Sequence, residues 1–270
     1  MSILFSDIAS FSRISENMHP DDLVALLNRY FEATLNCIRE TDGTVLTLIG
    51  DAIFAIWNAP VPQPDHRERA CKAALKLHLS LVSFDAEQRS LPLRTRVGLH
   101  TGTVCVGNIG SSSRFQYTAI GDSINLSSRL EGLNKHLGTS VLASRETQRA
   151  LEDKLVTRVI GHFKFKGFGR AVEVHEVLDQ LETAAASREW RDKWAGALQE
   201  FRQRNWDGAE SGFRQTIALR KKAESSGGAE GTASTPPDDG PSLFYLKQIA
   251  ECRANPPAYE WVGEVSLSEK

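Results

Sequence analysis

Ser2-Ile3-Leu4-Phe5-Ser6-Asp7-Ile8 and Leu48-Ile49-Gly50-Asp51-Ala52-Ile53 decide how the rest of the chain is read. Each places one carboxylate at the edge of an apolar, β-prone run, and the second sits in a Gly-Asp pair that reads as a hairpin turn. Two strand-end carboxylates that meet supply the oxygen ligands Mg²⁺ or Mn²⁺ takes. Two such ions a few Å apart can bracket a phosphoryl transfer, one activating the attacking oxygen and the other the leaving one. Read singly, Asp7 could as well open the next segment, and Asp51 could simply favour a turn.

Working outward, Ile8-Ala9-Ser10-Phe11-Ser12 reads as a small polar loop able to offer N–H groups to an anion. From Pro20 to Glu40, Leu23, Leu27, Tyr30, Phe31, Leu35 and Ile38 recur at helical spacing behind Pro20, Asp21 and Asp22. Strands over 44–49 and 52–57 form the hairpin around Gly50-Asp51. A second helix runs from His66 to about Phe84, with Ala70, Ala73, Leu77 and Leu81 on one face. Strands follow at 93–100, 104–109 and 115–120, then a helix over 123–137 with Leu126, Leu130, Leu133 and Leu137 as its buried stripe. Asn125 and Arg129, four apart, project together at the border of that stripe. A strand at 140–143, a helix around 145–151 and a β pair at 156–165 and 172–178 complete an α+β domain, one central sheet with helices packed on it.

From about Leu181 the character changes. Two amphipathic helices, 190–204 and 207–222, flank Asn205-Trp206 as a helical hairpin. Residues 224–242, rich in Gly, Ser, Pro and Asp, read as a flexible insertion before a third helix at 243–253. The predicted domains are therefore 1–180 and 181–270.

At 270 residues with 41% hydrophobic content the chain is long enough for one good core and an appendage. A net charge of −2 gives no basic field for nucleic acid. Cys37, Cys71, Cys105 and Cys252 form no CxxC pair, which suits a reducing, cytoplasmic setting. No apolar run reaches membrane-spanning length, and the N-terminus lacks a signal-peptide pattern. The first strand begins almost at Met1, so the chain is either naturally minimal or a piece of a longer one.

With these residues in hand, the first domain resembles the catalytic domain of class III nucleotidyl cyclases. The likeness rests on Leu4-Phe5-Ser6-Asp7-Ile8 with Phe11, Ile49-Gly50-Asp51-Ala52, Gly98-Leu99-His100-Thr101-Gly102, Tyr117-Thr118-Ala119-Ile120-Gly121-Asp122, Asn125-Leu126-Ser127-Ser128-Arg129 and Phe165-Lys166-Gly167. Several ordered motifs over residues 1–180 are far more specific than any one of them. The resemblance implies a ferredoxin-like central antiparallel sheet with flanking helices. It also implies a head-to-tail homodimer with both active sites at the interface and two Mg²⁺ or Mn²⁺ ions per site.

By the same resemblance, Asp7 and Asp51 bind the metals with the Ile8 carbonyl, and Phe11 and Ser12 lie in the substrate loop. Asn125 from the other chain orients the ribose, Arg129 stabilises charge on the α-phosphate, and Lys166 holds the terminal phosphates. A guanidinium and a metal are sensible choices against developing phosphoryl charge. Read singly, Arg129 is a solvated helix arginine, Asn125 a helix-start residue and Lys166 a charge beside a glycine turn. Lys164 is an alternative amine, but it does not precede the glycine. The implied reaction is attack of the ribose 3′ oxygen on the α-phosphorus of ATP, giving 3′,5′-cyclic AMP and pyrophosphate.

One position departs from the pattern. Four residues before Asp51, where adenylyl cyclases of this class usually carry a lysine and guanylyl cyclases a glutamate, stands Thr47. By the same resemblance, its partner in base recognition is Thr118. A threonine hydroxyl is uncharged and shorter than lysine, so the base edge is met through water and selectivity relaxes. The expectation is an adenylate cyclase. GTP as substrate, or a catalytically silent nucleotide-binding dimerisation module, are the alternatives. The tail resembles the short tetratricopeptide-like segment that follows such domains in some bacterial proteins, with packing or binding of a protein partner as its possible roles.

Overall fold

The computed structural model describes residues 1–88, 93–149, 151–181, 184–226 and 238–267. The predicted insertion at 224–242 falls largely outside them, as does the side chain of Leu81. Two compact units are formed, one from residues 1–135 with 140–151, the other from 136–139 with 152–270.

In the first unit the order is β1 (Ser2–Ile8), α1 (Phe11–Glu16), α2 (Pro20–Arg39), β2 (Thr44–Ile49), β3 (Ala52–Trp57), α3 (His66–Gln88), β4 (Thr95–Thr101), β5 (Cys105–Ser111), β6 (Arg114–Ile120), α4 (Asp122–Leu137), β7 (Val141–Ser144) and α5 (Arg145–Gln148). Five strands align as β7-β4-β1-β3-β2, while β5 and β6 form a separate ribbon. β1 is flanked by antiparallel β3 and β4, and β7 lies parallel to β4. The sheet is therefore mixed, not wholly antiparallel. The chain returns to it through α4, and a helical crossover can bring a strand in parallel where a tight hairpin cannot.

His19 caps α2 by accepting the Asp21 N–H, and Pro20 opens the first turn. Its buried residues are Leu26, Tyr30, Thr34, Cys37 and Ile38. Of the apolar positions at helical spacing, Tyr30 and Ile38 are therefore buried, while Leu23, Leu27, Phe31 and Leu35 are half-buried. In α4 the predicted Leu126, Leu130, Leu133 and Leu137 are all buried. That helix comes very close to β4. A Cβ on Gly98 would stand 2.2 Å from both the Ser127 carbonyl and the Glu131 nitrogen. Ser127 Oγ donates at 2.9 Å to the Gly98 carbonyl, and Asn134 Nδ2 at 3.0 Å to that of Val97. These bonds fix α4 along the sheet.

The second unit holds β8 (Leu155–Lys164), β9 (Val172–Gln180), α6 (Ala184–Arg202), α7 (Trp206–Ser226), α8 (Gly240–Ala254) and β10 (Glu264–Ser266). β8 pairs antiparallel with β9 and parallel with β10. Trp194, Phe201, Phe213 and Tyr245 pack their rings 4.8–5.7 Å apart, and Tyr245 OH donates at 2.9 Å to the Ile160 carbonyl of β8. A buried ion cluster adds to this. Arg158 on β8 meets Asp239 through both terminal nitrogens, at 2.6 and 3.1 Å, and Glu176 on β9 at 2.6 Å. Asp239 also accepts from Arg220 of α7 and caps α8 through the Ser242 N–H. Those cations hold its carboxyl well below the usual range although burial opposes them.

Candidate active site

Asp7 and Asp51 arrive from different elements. Asp7 stands near the end of β1, where alternation puts it on the same face as Ile3 and Phe5. Asp51 follows Gly50, whose φ of +62° is the left-handed conformation that lets the β2–β3 connection reverse in two residues. The strand end and the turn are joined directly: the Ile8 N–H donates to Asp51 Oδ2 at 3.0 Å. Burial first, and the neighbouring Asp7 carboxylate next, push the Asp51 carboxyl up to about 7, against the pull of the Ile8 amide.

Two further charged residues belong to this cluster and were not found by sequence reasoning. Arg96, opposite Asp7 in the β1–β4 register, donates from Nη2 to Asp7 Oδ2 at 2.8 Å. Its Nε lies 3.0 Å from Glu131 Oε1 on α4. Burial raises the Glu131 carboxyl to about 7, with Arg96 opposing and Asp7 and Asp51 adding to the rise. The signal available was a lone arginine inside the buried run Thr95-Arg96-Val97-Gly98-Leu99.

Arg96 thus meets two of the three carboxylates, Asp7 and Glu131, and Asp51 is engaged by the Ile8 amide, which leaves a group of acidic oxygens that a hard cation would suit. Among the described residues, no three His, Cys, Asp or Glu side chains converge as a ready-made metal cage. The donors offered are two carboxylates and the main chain at Ile8. Mg²⁺ suits such a set, because it keeps several waters and completes its shell with substrate phosphate.

The other predicted residues are placed as follows. Phe11 and Ser12 lie in the first turn of α1, not in a loop; Phe11 is half-buried and Ser12 exposed. Thr47 is half-buried, just past a bulge in β2, and its Oγ1 donates to the Leu48 carbonyl at 3.4 Å. Thr118 is half-buried in β6, opposite Gly107. Asn125 is exposed and Arg129 half-buried, both on α4. Among the described residues Asn125 makes no side-chain hydrogen bond. Lys166 belongs to the second unit, in the turn after β8, and is exposed. The structure thus gathers Asp7, Ile8 and Asp51. Phe115, Tyr117 and Ile120 of β6 are exposed, by 63%, 37% and 54%, as is Ile49 by 59%. Phe115 and Tyr117 share one side of the β5–β6 ribbon, while Ile120 lies on the other.

The family described as "Adenylate and Guanylate cyclase catalytic domain" matches residues 1–178. Adenylate cyclase 1 of Rhizobium meliloti (strain 1021) is 43% identical over 181 residues, which is 66% of this chain and 27% of that protein. The match thus spans about a quarter of that relative's length. The crystal structure of the adenylyl cyclase CyaB from P. aeruginosa is 30% identical with a TM-score of 0.59, over 66% of this chain and 93% of that one. The guanylyl cyclase Cya2 structure is also 30% identical, with a TM-score of 0.61, over 67% and 92% of the two chains.

Proposed function

Because the chain belongs to the adenylate and guanylate cyclase catalytic domain family, we propose that it converts ATP to 3′,5′-cyclic AMP and pyrophosphate at sites shared between two copies. The observation that carries the reading is the Asp7–Asp51 cluster at the end of β1, in a segment 43% identical to an adenylate cyclase. Asp7, Asp51 and the Ile8 carbonyl would hold two divalent cations, Mg²⁺ or Mn²⁺. When bound, those ions would make the ribose 3′ hydroxyl more acidic and neutralise charge on the phosphates.

The chain's own groups do the rest. Asn125, with its side chain unengaged, orients the ribose from the partner chain. Arg129 meets charge growing on the α-phosphate, where a fixed guanidinium acts most strongly on the transition state. Lys166 holds the terminal phosphates, and Phe11 and Ser12 border the substrate. The exposed apolar side chains of β6 and Ile49 favour a homodimer over an isolated chain.

Thr47 and Thr118 meet the base with hydroxyls alone, so ATP is preferred but GTP is not sharply rejected. GTP is the second reading, favoured by the absence of a lysine at 47 and the likeness to Cya2. We read 1–180 as the catalytic part, working in the cytoplasm, and 181–270 as a tetratricopeptide-like tail open to a protein partner. No helix among the described residues is long and apolar enough to cross a membrane. Asp51→Ala tests the enzyme reading: turnover lost with the dimer intact supports it. Wild-type turnover in that variant would overturn it.

A further inference from the structure

The loop 258–263 and β10 tie the tail to β8, the strand that leads into the turn holding Lys166. β10 lies along the end of β8 with Glu264 opposite His162, Val265 opposite Phe163 and Ser266 opposite Lys164. Three residues are too few to hold by pairing alone, and the contacts around them supply the anchor. Val265 is buried, and Trp261 Nε1 donates to the Glu264 carbonyl at 2.7 Å. Arg204, at the α6–α7 turn, donates from Nη2 to the carbonyls of Ala258, Tyr259 and Trp261 at 2.6, 2.8 and 3.2 Å.

This anchoring sets Glu264 against Lys164, and the two form an ion pair. Lys166 lies two residues further on, beside a turn closed by the Phe168 N–H donating to the Phe165 carbonyl at 3.1 Å. Among the described residues its ammonium has no partner. Two amines so close in sequence could both reach a polyphosphate, in two different registers. Only one of them is left open.

We propose that Glu264 is a positioning residue for Lys166: it occupies the competing amine of Lys164, so that a nucleoside triphosphate is held by Lys166 alone and in one register. This rests on the reading of Lys166 as the triphosphate-binding amine. With Lys164 released, triphosphate also binds in a displaced, unreactive register. Such binding lowers kcat and KM together and leaves kcat/KM unchanged, because it competes with productive binding. A half-exposed ion pair of this kind biases the two registers by about two- to fivefold.

The test is steady-state kinetics on the full chain with MgATP for Glu264→Gln, Lys164→Met, the double variant and Lys166→Ala, each checked for an unchanged melting profile. Glu264→Gln is expected to lower kcat and KM by the same factor, below the roughly fivefold ceiling that the lost ion pair sets. Adding Lys164→Met restores both, and Lys164→Met alone stays near wild type. A merely structural glutamate would not be rescued by removing Lys164. Wild-type kcat and KM in Glu264→Gln, or a loss that Lys164→Met fails to restore, overturns the proposal while a raised KM in Lys166→Ala keeps the site reading. If Lys166→Ala leaves KM unchanged, the site reading falls and this proposal with it.

Discussion

Asp51 accepts the Ile8 N–H at 3.0 Å, so the turn carboxylate is locked to the end of β1 by the main chain itself. An amide oxygen can take the same bond. Asp51→Asn is therefore expected to keep stability within about 1 kcal/mol while cutting cyclic nucleotide formation by about a thousandfold, since it removes charge from the proposed cation site. Thermal melting and rate measurements on one preparation decide it. A large loss of stability with activity retained would be contrary to this account.

At Gly98 the helix α4 leaves no room for a side chain, because the obstructing atoms are main chain and cannot rotate away. Gly98→Val should cost about 3 kcal/mol or more, since β4 or α4 must move. Urea unfolding measures it, and a variant of wild-type midpoint would refute the close contact.

His100 gives stability a pH dependence of known sign. Its Nδ1 lies 2.8 Å from Ser144 Oγ, and burial lowers its pKa from 6.5 to about 4, with Glu146 pulling weakly the other way. The fold thus prefers the neutral ring. Its contribution is complete above pH 6.5 and is lost as pH falls from there towards 4, at most about 3 kcal/mol. In His100→Gln the stability profile between pH 7 and 4 should be flatter than in wild type. Parallel profiles would exclude the ring as the titrating group.

The Arg158–Asp239 pair anchors α8 to β8 in the second unit. Asp239→Ala strands a buried guanidinium and removes a helix cap, for an expected loss of about 3–5 kcal/mol. Combining it with Arg158→Met should cost clearly less than the sum of the single changes. Additive losses would mean that the two side chains do not interact.

Much of the site was legible because its chemistry is local: a carboxylate after an apolar strand, and another in a Gly-Asp turn. Arg96 and Glu131 escaped because their places depend on the β1–β4 register and on the approach of α4 to Gly98, which no single segment encodes. The small polar run at 8–12 predicts a loop at Phe11 and Ser12, whereas a six-residue helix opens there behind Ser10 at φ 60°. In the tail, composition alone places Gly240-Pro241 in the insertion. Asp239 as cap and proline in the first turn instead start α8 there. β10 had no signal at all, being three residues held in a non-local parallel pairing.

The central claim is tested most directly by product formation in the purified dimer with Mn²⁺, offering ATP and GTP in parallel and using Asp7→Ala as the control. The account predicts cyclic AMP as the main product, some cyclic GMP, and an inactive control. Dimers that bind nucleotide yet turn over neither would contradict it, and would make the chain a regulatory module.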